Sequence, residues 1–435
     1  MNRSFIIEFD RMVIEIDWER LEQGPPEERA TFGAIGIRFG NRWLSEAHDS
    51  FVNRVRQKVH LSGYQLAQWL AWNWWRLRWE PSRESLEWRM AHHLSNIGGG
   101  YVWPNITCTS DGERVLMRAL PTQPRPAEPL RYLADTTVVL PALEFEAEIE
   151  RYIGFILEKL RTEGVNGTNL ENIWAHVTEE RRDSESSWYR RLEAALGCDP
   201  DEASEQVLTA LIGEEKELGR SGVAELAAGS SGDQTVPSSN HLKELAASVG
   251  YEINLGSIPL ITTNCVQCGP SPWEVGENAA RLIRKQMGLN GGVFRDKKLA
   301  ELAGTGLKTL TDSQPGPVFQ FALRANEATA KVVLKSPINT NRRFALARVV
   351  GDRILNTTLE PLIPVLRSYS YRQKLQRAFA GELLCPFEHA LQMLNDDFSD
   401  ENQEYVAHEF QVSQMVVSTK LVNEGILPRQ ALSDF

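Results

Sequence analysis

The chain has 435 residues and a mass of 49.1 kDa, enough for about two or three domains. Its composition, 42% apolar and 24% charged, excludes a disordered, collagen-like or multi-span membrane protein. A formal net charge of -11 argues against a broad phosphate-tracking surface, so nucleic acid is not the expected partner. Glu8 and Asp10 interrupt the apolar N-terminal stretch, and no apolar run reaches the ~20 residues that span a bilayer. We therefore expect a cytoplasmic protein without a membrane partner.

Residues 1–160 hold most of the tryptophans and predict a Trp-rich α+β domain. Residues 5–16 and 34–39 are rich in β-forming side chains, and residues 62–80 have a helical pattern. The Ser110-Asp111-Gly112 segment predicts a hairpin turn between two strands.

Four tryptophans of the helical stretch recur at three- and four-residue steps, which predicts that they share one helix face: Trp69, Trp72, Trp75 and Trp79. Such a face most often packs into a core. A partner-binding face is an alternative, because Trp and Arg dominate interface hot spots. With Arg76 and Arg78 beside it, the face would also suit a base-stacking platform for single-stranded nucleic acid. These six residues are the binding candidates of this domain.

The middle of the chain predicts helices and boundaries. An apolar stripe predicts a helix from residue 143 to 160, and residues 161–240 predict a helical connector with a Gly/Ser/Pro-rich end. Residues 241–272 predict a transition segment that contains Cys265 and Cys268. Their CxxC spacing is half of a structural zinc site, but it also fits loop cysteines or a redox pair.

Residues 273–435 carry four pieces in order. A helix with an apolar Ala279/Ile283/Met287 stripe comes first, and a β-rich run at residues 330–336 follows it. Two helical segments come next, NRRFALARVVGDRIL and YRQKLQRAFAGELLCPFEHAL. The tail is VAHEFQVSQMVVSTKLVNEGIL.

These pieces resemble the ImmA/IrrE family of HExxH zinc peptidases. In that family a WExGxxxAxxLRxxLGL helix precedes a strand, an RRFxLAHExGH metal helix, an ExxANxFAxxLLMP helix and an AxxFxVSxxxxxxRLxNLGLL tail. The resemblance covers residues 272–427 and implies a zincin-like, mostly helical C-terminal domain with a small sheet. The fold class we expect for the whole chain is therefore α+β, with a Trp-rich N-terminal domain and a helical middle region.

The metal-binding residues of that family are replaced here. A zincin needs two histidines at i and i+4 and a glutamate beside the first as general base. The matching segment is Arg348-Val349-Val350-Gly351-Asp352, and the third ligand position falls at Gln373. The resemblance thus implies a degenerate site without metal or cofactor, in which Arg348 and Asp352 form an ion pair in place of zinc. We expect no peptidase activity from it.

The lost ligands favour a non-catalytic protein-interaction or sensor subunit, and the family suggests a bacterial stress, toxin–antitoxin or antiphage defence system. One alternative is a nucleic-acid-associated transcriptional regulator that uses Arg76, Arg78, the tryptophan face and the C-terminal helices. Another is a hydrolase with an unrecognised site in the N-terminal domain. A third is a metallopeptidase whose metal site is rebuilt from Asp352, Glu382, Glu388 and His389.

Overall fold

The computed structural model describes residues 11–124, 129–230, 236–258, 271–289, 291–356 and 360–432. The described chain forms two compact units, the first within residues 11–208 and the second within residues 209–230 and 236–432. Each unit combines helices with small antiparallel sheets, so the predicted α+β class is confirmed at this level. The predicted boundaries at residues 160, 240 and 272 stay predictions.

The strands of the first unit are β1 (Met12–Trp18), β2 (Phe32–Phe39), β3 (Arg42–Trp43), β4 (Ala47–Asp49), β5 (Arg54–Arg56), β6 (Val59–Ser62), β7 (Ile106–Ser110), β8 (Arg114–Ala119), β9 (Leu130–Tyr132) and β10 (Thr136–Pro141). In the first sheet β2 pairs with β1, β3 and β6. In the second, β8 lies between β7 and β10, and in the third β4 lies between β5 and β9. All of these pairs are antiparallel.

The helices of the first unit are α1 (Pro26–Thr31), α2 (Gly63–Trp72), α3 (Trp74–Trp79), α4 (Leu86–His92), α5 (Ala142–Thr162), α6 (Asn169–Arg182) and α7 (Ser184–Leu196). The predicted apolar stripe of α5 is confirmed, because Phe145, Ile149 and Ile153 are buried in the core of this unit. Helix α5 also supplies partners to the edge strand β1. Ile14 N donates to Glu148 Oε1 at 2.5 Å, and Arg151 Nη2 donates to Ile14 O at 2.6 Å. These bonds satisfy backbone groups that an edge strand otherwise exposes.

The predicted hairpin is confirmed between β7 and β8. Asp111 Oδ1 accepts from the backbone N–H groups of Glu113, at 3.2 Å, and Arg114, at 2.9 Å. Gly112 has a φ of 98°, which glycine adopts without the steric cost of a side chain. The predicted strand at residues 34–39 falls within β2, whereas residues 5–10 lie outside the described part of the chain.

The second unit begins within α8 (Glu205–Gly213). Its remaining helices are α9 (Glu215–Leu218), α10 (Arg220–Gly229), α11 (Ser239–Val249), α12 (Pro272–Gln286), α13 (Asp296–Leu302), α14 (Lys308–Thr311), α15 (Asn339–Leu355), α16 (Tyr371–Leu384), α17 (Phe387–Leu394), α18 (Asp400–Phe410) and α19 (Gln414–Asn423). Its strands are β11 (Tyr251–Asn254), β12 (Phe321–Arg324), β13 (Thr329–Val333) and β14 (Leu362–Pro364). The helices predicted around residues 273–287, 341–355 and 371–384 and the strand predicted at residues 330–336 are therefore confirmed as α12, α15, α16 and β13.

The sheet of the second unit has the order β11-β13-β12-β14, and every pair is antiparallel. Ala322, Val332 and Ile363 place one face of this sheet in the core that α12, α15 and α16 complete. Leu362, next to Ile363, points to the opposite face because side chains alternate along a strand. Helix α10 packs against β14 on that face, and α11 contacts β12 and β13. The sheet therefore lies between two helical layers of its own unit.

None of the helices in the described ranges combines the length and apolar character that crossing a bilayer requires.

Candidate functional site

The positions that the resemblance matches to a metal site, Arg348, Val349, Asp352 and Gln373, come together where α15, α16 and β14 meet. Helix α15 approaches α16 closely at Gly351, where an added Cβ would lie 2.5 Å from Phe379 Cδ1. Helix α16 begins at Tyr371, and the hydroxyl of the preceding Ser370 caps it by accepting from Gln373 N at 3.3 Å. Arg348 and Asp352 lie one turn apart on α15 and face the first turns of α16.

Arg348 is buried with 5% exposure, and its guanidinium bonds to neutral oxygens. Its Nη2 donates to Leu366 O at 2.8 Å and also to Gln373 Oε1. The same Gln373 oxygen accepts from Leu366 N at 2.8 Å, and Gln373 Nε2 donates to Pro364 O at 3.0 Å. Burial lowers the pKa of Arg348 to about 9, with a smaller effect in the same direction from Arg377. The side chain therefore remains a cation at neutral pH.

Asp352 has a different partner from the one predicted. Arg372 binds it through two bonds, Nε to Oδ1 at 2.6 Å and Nη2 to Oδ2 at 2.8 Å, and Gln376 Nε2 adds a third at 2.9 Å. The predicted ion pair between Arg348 and Asp352 is wrong, because the bidentate geometry of Arg372 satisfies the carboxylate instead. Val349, which the resemblance matches to the general base, is fully buried in the core.

Helix α10 adds a carboxylate to this cluster. Glu225 accepts from Ser370 Oγ at 2.7 and 2.8 Å, and Arg372 Nη1 donates to Ser221 Oγ on the same helix at 2.9 Å. Burial raises the pKa of the Glu225 carboxyl, and Arg372 opposes that rise. We refer to Glu225, Arg348, Asp352, Arg372, Gln373 and Arg377 as the arginine cluster.

The donor set does not suit a metal ion. Within the described ranges, no three His, Cys, Asp or Glu side chains are grouped closely enough to hold one. The alternative site of Asp352, Glu382, Glu388 and His389 is therefore not assembled. Glu382 is engaged elsewhere, since it pairs with Lys420 at 2.6 Å and Arg281 at 3.0 Å and accepts from Phe387 N at 3.1 Å. Cys265 and Cys268 lie outside the described residues.

The tryptophan face predicted for the first unit is not formed by one helix. Asn73 ends α2, and its side-chain Nδ2 donates to Trp69 O at 2.9 Å, so the second pair of tryptophans belongs to α3. Trp72 is 54% exposed, whereas Trp75 is buried and donates to Glu180 Oε2 at 2.8 Å. Trp79 is half-buried, with the guanidinium carbons of Arg78 and Arg191 3.8 and 3.9 Å from its ring centre. The prediction of a shared face is therefore wrong.

Arg76 and Arg78 are both buried and both paired. Arg76 binds Glu80 at 2.7 Å and Asp199 at 2.9 Å. Arg78 binds the carboxylate of Glu146 and donates to Gly112 O at 2.5 Å. Because their donors already have acceptors inside the unit, these arginines do not present a phosphate-binding surface, which argues against the nucleic-acid alternative.

Sequence reasoning missed a second buried ionic cluster, centred on Glu80 and His92. His92 is fully buried and stacks on Trp88 with ring centres 4.4 Å apart. Its Nε2 lies 3.0 Å from Glu80 Oε2 and its Nδ1 lies 2.9 Å from Cys108 O. The i,i+4 spacing of Arg76 and Glu80 was the available signal, but nothing in the sequence indicated the histidine as their partner.

No protein-family model matches the chain, and neither a curated protein nor a solved structure matches it.

Proposed function

We propose that the second unit is a degenerate peptidase domain of the ImmA/IrrE kind and that the protein is a non-catalytic interaction or sensor subunit. The observation that carries the proposal is the buried Arg348 guanidinium, bonded to Gln373 Oε1 and Leu366 O at the positions where the family would hold its metal. A bacterial stress, toxin–antitoxin or antiphage defence system is the setting we propose for it, with another protein as its partner.

Electrostatics supports the loss of metal. A guanidinium about 4 Å from a dication costs roughly 8 kcal/mol at an effective dielectric constant of about 20. Arginine does not lose its proton to become a ligand. Asp352, the remaining anionic candidate, is already neutralised by Arg372. Val349, which stands where the family has its general base, is a buried aliphatic residue and cannot accept a proton from water.

The packing of matching scaffold positions also supports the proposal. Arg343, Leu346, Ala347 and Leu383 are fully buried, and Gly351 lets Phe379 contact α15. The order of α12, β12 and β13, α15 and α16 follows the order of the family's motifs. The residues that pack the helices match the family, whereas those that would bind metal do not. This combination is expected of a domain that binds a partner but no longer catalyses a reaction.

The metal part of the proposal is tested by zinc content and calorimetric zinc titration of the full chain. We expect no stoichiometric zinc in the wild type. The comparison variant restores the family's residues through Arg348→His, Val349→Glu, Asp352→His and Gln373→Glu. Zinc binding by this variant but not by the wild type would support the loss of an ancestral metal site. Stoichiometric zinc binding by the wild type at these residues would overturn the proposal.

The interaction part is tested by a nuclease-treated pull-down with the tagged full chain. We expect a protein partner that survives nuclease and is retained at stoichiometric yield after purification. The double variant Arg348→Ala and Asp352→Ala tests whether the cleft takes part, with Glu404→Ala, at an exposed position of α18, as the matched control. Recovery of nucleic acid with loss of every protein on nuclease treatment would replace the proposal with the regulator alternative.

A further inference from the structure

The hairpin of β4 and β5 presents apolar side chains to solvent at its turn. Phe51 is 85% exposed, and Val52 and Val55 beside it are 46% and 56% exposed. Exposed apolar side chains that are grouped mark interaction sites, whereas scattered single ones are ordinary. We refer to residues 50–55 as the hairpin tip.

Hydrogen bonds hold the hairpin tip in this conformation. Asp49 Oδ1 accepts from Phe51 N at 3.0 Å and from Val52 N at 3.4 Å. Ser50 donates to Pro129 O through both its backbone N and its hydroxyl, each at 2.9 Å. Because the loop is already ordered, binding through Phe51 costs little additional conformational entropy.

Cations flank the hairpin tip, although the chain as a whole has a net charge of -11. Val55, His48 and Arg131 share one row across the sheet of β5, β4 and β9. The next row faces the core through Tyr132, so the row of Arg131 faces solvent. Arg54 and Arg131 are exposed, and within the described ranges neither forms an ion pair. The hairpin tip is therefore an aromatic projection with positive charge beside it, which suits a groove with an apolar floor and an acidic rim.

One face of α6, in the same unit, forms such a groove. The α6 groove has a volume of about 800 Å³ and is lined by Trp174, Ala175, Thr178, Glu179, Arg182 and Asp183. Trp174 packs edge-on against Trp74 with ring centres 5.3 Å apart, which fixes the apolar floor. Glu179 and Asp183 are exposed and outnumber Arg182 among the lining residues. The α6 groove therefore favours an apolar group that carries positive charge beside it.

We propose that the hairpin tip of one chain binds in the α6 groove of a second copy. Phe51 packs on Trp174, and the neighbouring Arg54 lies beside the acidic rim at Glu179. Phe51 is exposed in its own chain, so it does not fill the groove of the chain that carries it. Because the tip and the groove are different surfaces, the contact is heterologous, and it continues from copy to copy unless a ring closes. This goes beyond the proposed function, since it concerns the first unit alone and does not depend on the resemblance to peptidases.

The test is sedimentation velocity of the full chain over a range of concentrations. We expect the wild type to associate, whereas Phe51→Asp, which removes the aromatic projection, and Ala175→Arg, which fills the groove, should each stay monomeric. An equimolar mixture of these two variants should form a species of two chains and nothing larger, because one intact tip and one intact groove remain. That species would also show that both variants fold. Leu143→Asp and Gly154→Arg, at exposed positions of α5 outside both surfaces, should associate as the wild type does.

A wild type that stays monomeric at every concentration would overturn the proposal and leave the hairpin tip to a different partner. Association that persists in either single variant, or a mixture without the two-chain species, would overturn it as well. The charge contact is tested by Arg54→Glu, which should lose part of the association, and by the double variant Arg54→Glu and Glu179→Lys, which should regain it. A double variant no better than Arg54→Glu would overturn this orientation of the tip in the groove. Self-association would stand or fall separately from the zinc and pull-down results.

Discussion

The two units bury ionic clusters that are built from similar side chains but balanced in opposite ways. In the first unit, the central group is an acid, Glu80, with Arg76 and His92 both bonded to it. In the arginine cluster of the second unit, the central group is a cation, Arg348, bonded to neutral oxygens. The first cluster has an excess of donors around one acid, and the second has buried cations that outnumber the acids in contact with them.

The pKa directions follow from that difference. Burial raises the pKa of Glu80, but hydrogen bonds from His92 and Arg76 outweigh it, so the carboxyl has a pKa below its ordinary value. Burial lowers the pKa of Arg348, and among the described residues no carboxylate contacts it to reverse the change. Desolvation disfavours the charged form in both clusters, and only direct ionic contact compensates for it.

The largest expected effect comes from Asp352→Ala, which leaves Arg372 buried beside the already uncompensated Arg348. We expect a loss of about 3–5 kcal/mol in the free energy of unfolding of the second unit. Hydrogen exchange of peptides from α15 and α16 measures it, since most of the tryptophans report on the first unit. Glu404→Ala, which removes an exposed carboxylate from α18, should change stability by no more than about 0.5 kcal/mol. A small effect of Asp352→Ala would mean that Glu360 is sufficient as the partner of Arg372.

The sequence allowed part of the arginine cluster to be predicted, whereas the cluster of Glu80 and His92 was missed. Helix α12 follows from its apolar stripe, whereas the segments of α15 and α16 and the Arg348 and Gln373 positions follow from the resemblance to one peptidase family. The partner of Asp352 did not follow, because i,i+4 spacing favoured Arg348 while tertiary packing selected Arg372, which lies 20 residues away. Glu225 could not be found at all, since 145 residues separate it from Ser370. The break at Asn73 was missed because one asparagine within an apolar helical pattern is a weak stop signal.

The cluster of Glu80, Arg76 and His92 in the first unit should lose less unfolding free energy when its acid is replaced. Glu80→Gln removes the charge that Arg76 and His92 share, but Asp199 still pairs with Arg76 at 2.9 Å. We therefore expect a loss of about 1.5–3 kcal/mol, the range for hydrogen bonds to charged groups. Tryptophan fluorescence during urea unfolding measures it, because Trp88 stacks on His92. A loss as large as that of Asp352→Ala would show that Asp199 does not compensate.

The same variant gives a pH dependence with a definite sign. Since the folded pKa of Glu80 lies below its ordinary value of 4.5, ionised Glu80 stabilises the fold above pH 4.5. That stabilisation is lost as the pH falls through the folded pKa. The difference in unfolding free energy between wild type and Glu80→Gln should stay constant from neutral pH down to 4.5 and shrink below it. A difference that grows on acidification would mean that the carboxyl is protonated in the folded state.

The smallest expected effects come from adding a methyl group at one glycine of α15 and at one glycine of α5. Gly351→Ala brings a methyl group to 2.5 Å from Phe379 Cδ1, so α15 and α16 must separate, and we expect a loss of about 1–3 kcal/mol. Gly154→Ala adds the same methyl group at an exposed position of α5, where no atom of the described residues lies within 4 Å. It should gain up to about 1 kcal/mol from helix propensity. Urea midpoints measure both, and opposite signs would show that glycine is needed where α15 and α16 touch, whereas on α5 it only weakens the helix. A gain at Gly351 as well would mean that the two helices can shift apart at no cost, and the arginine cluster would then not depend on their close contact.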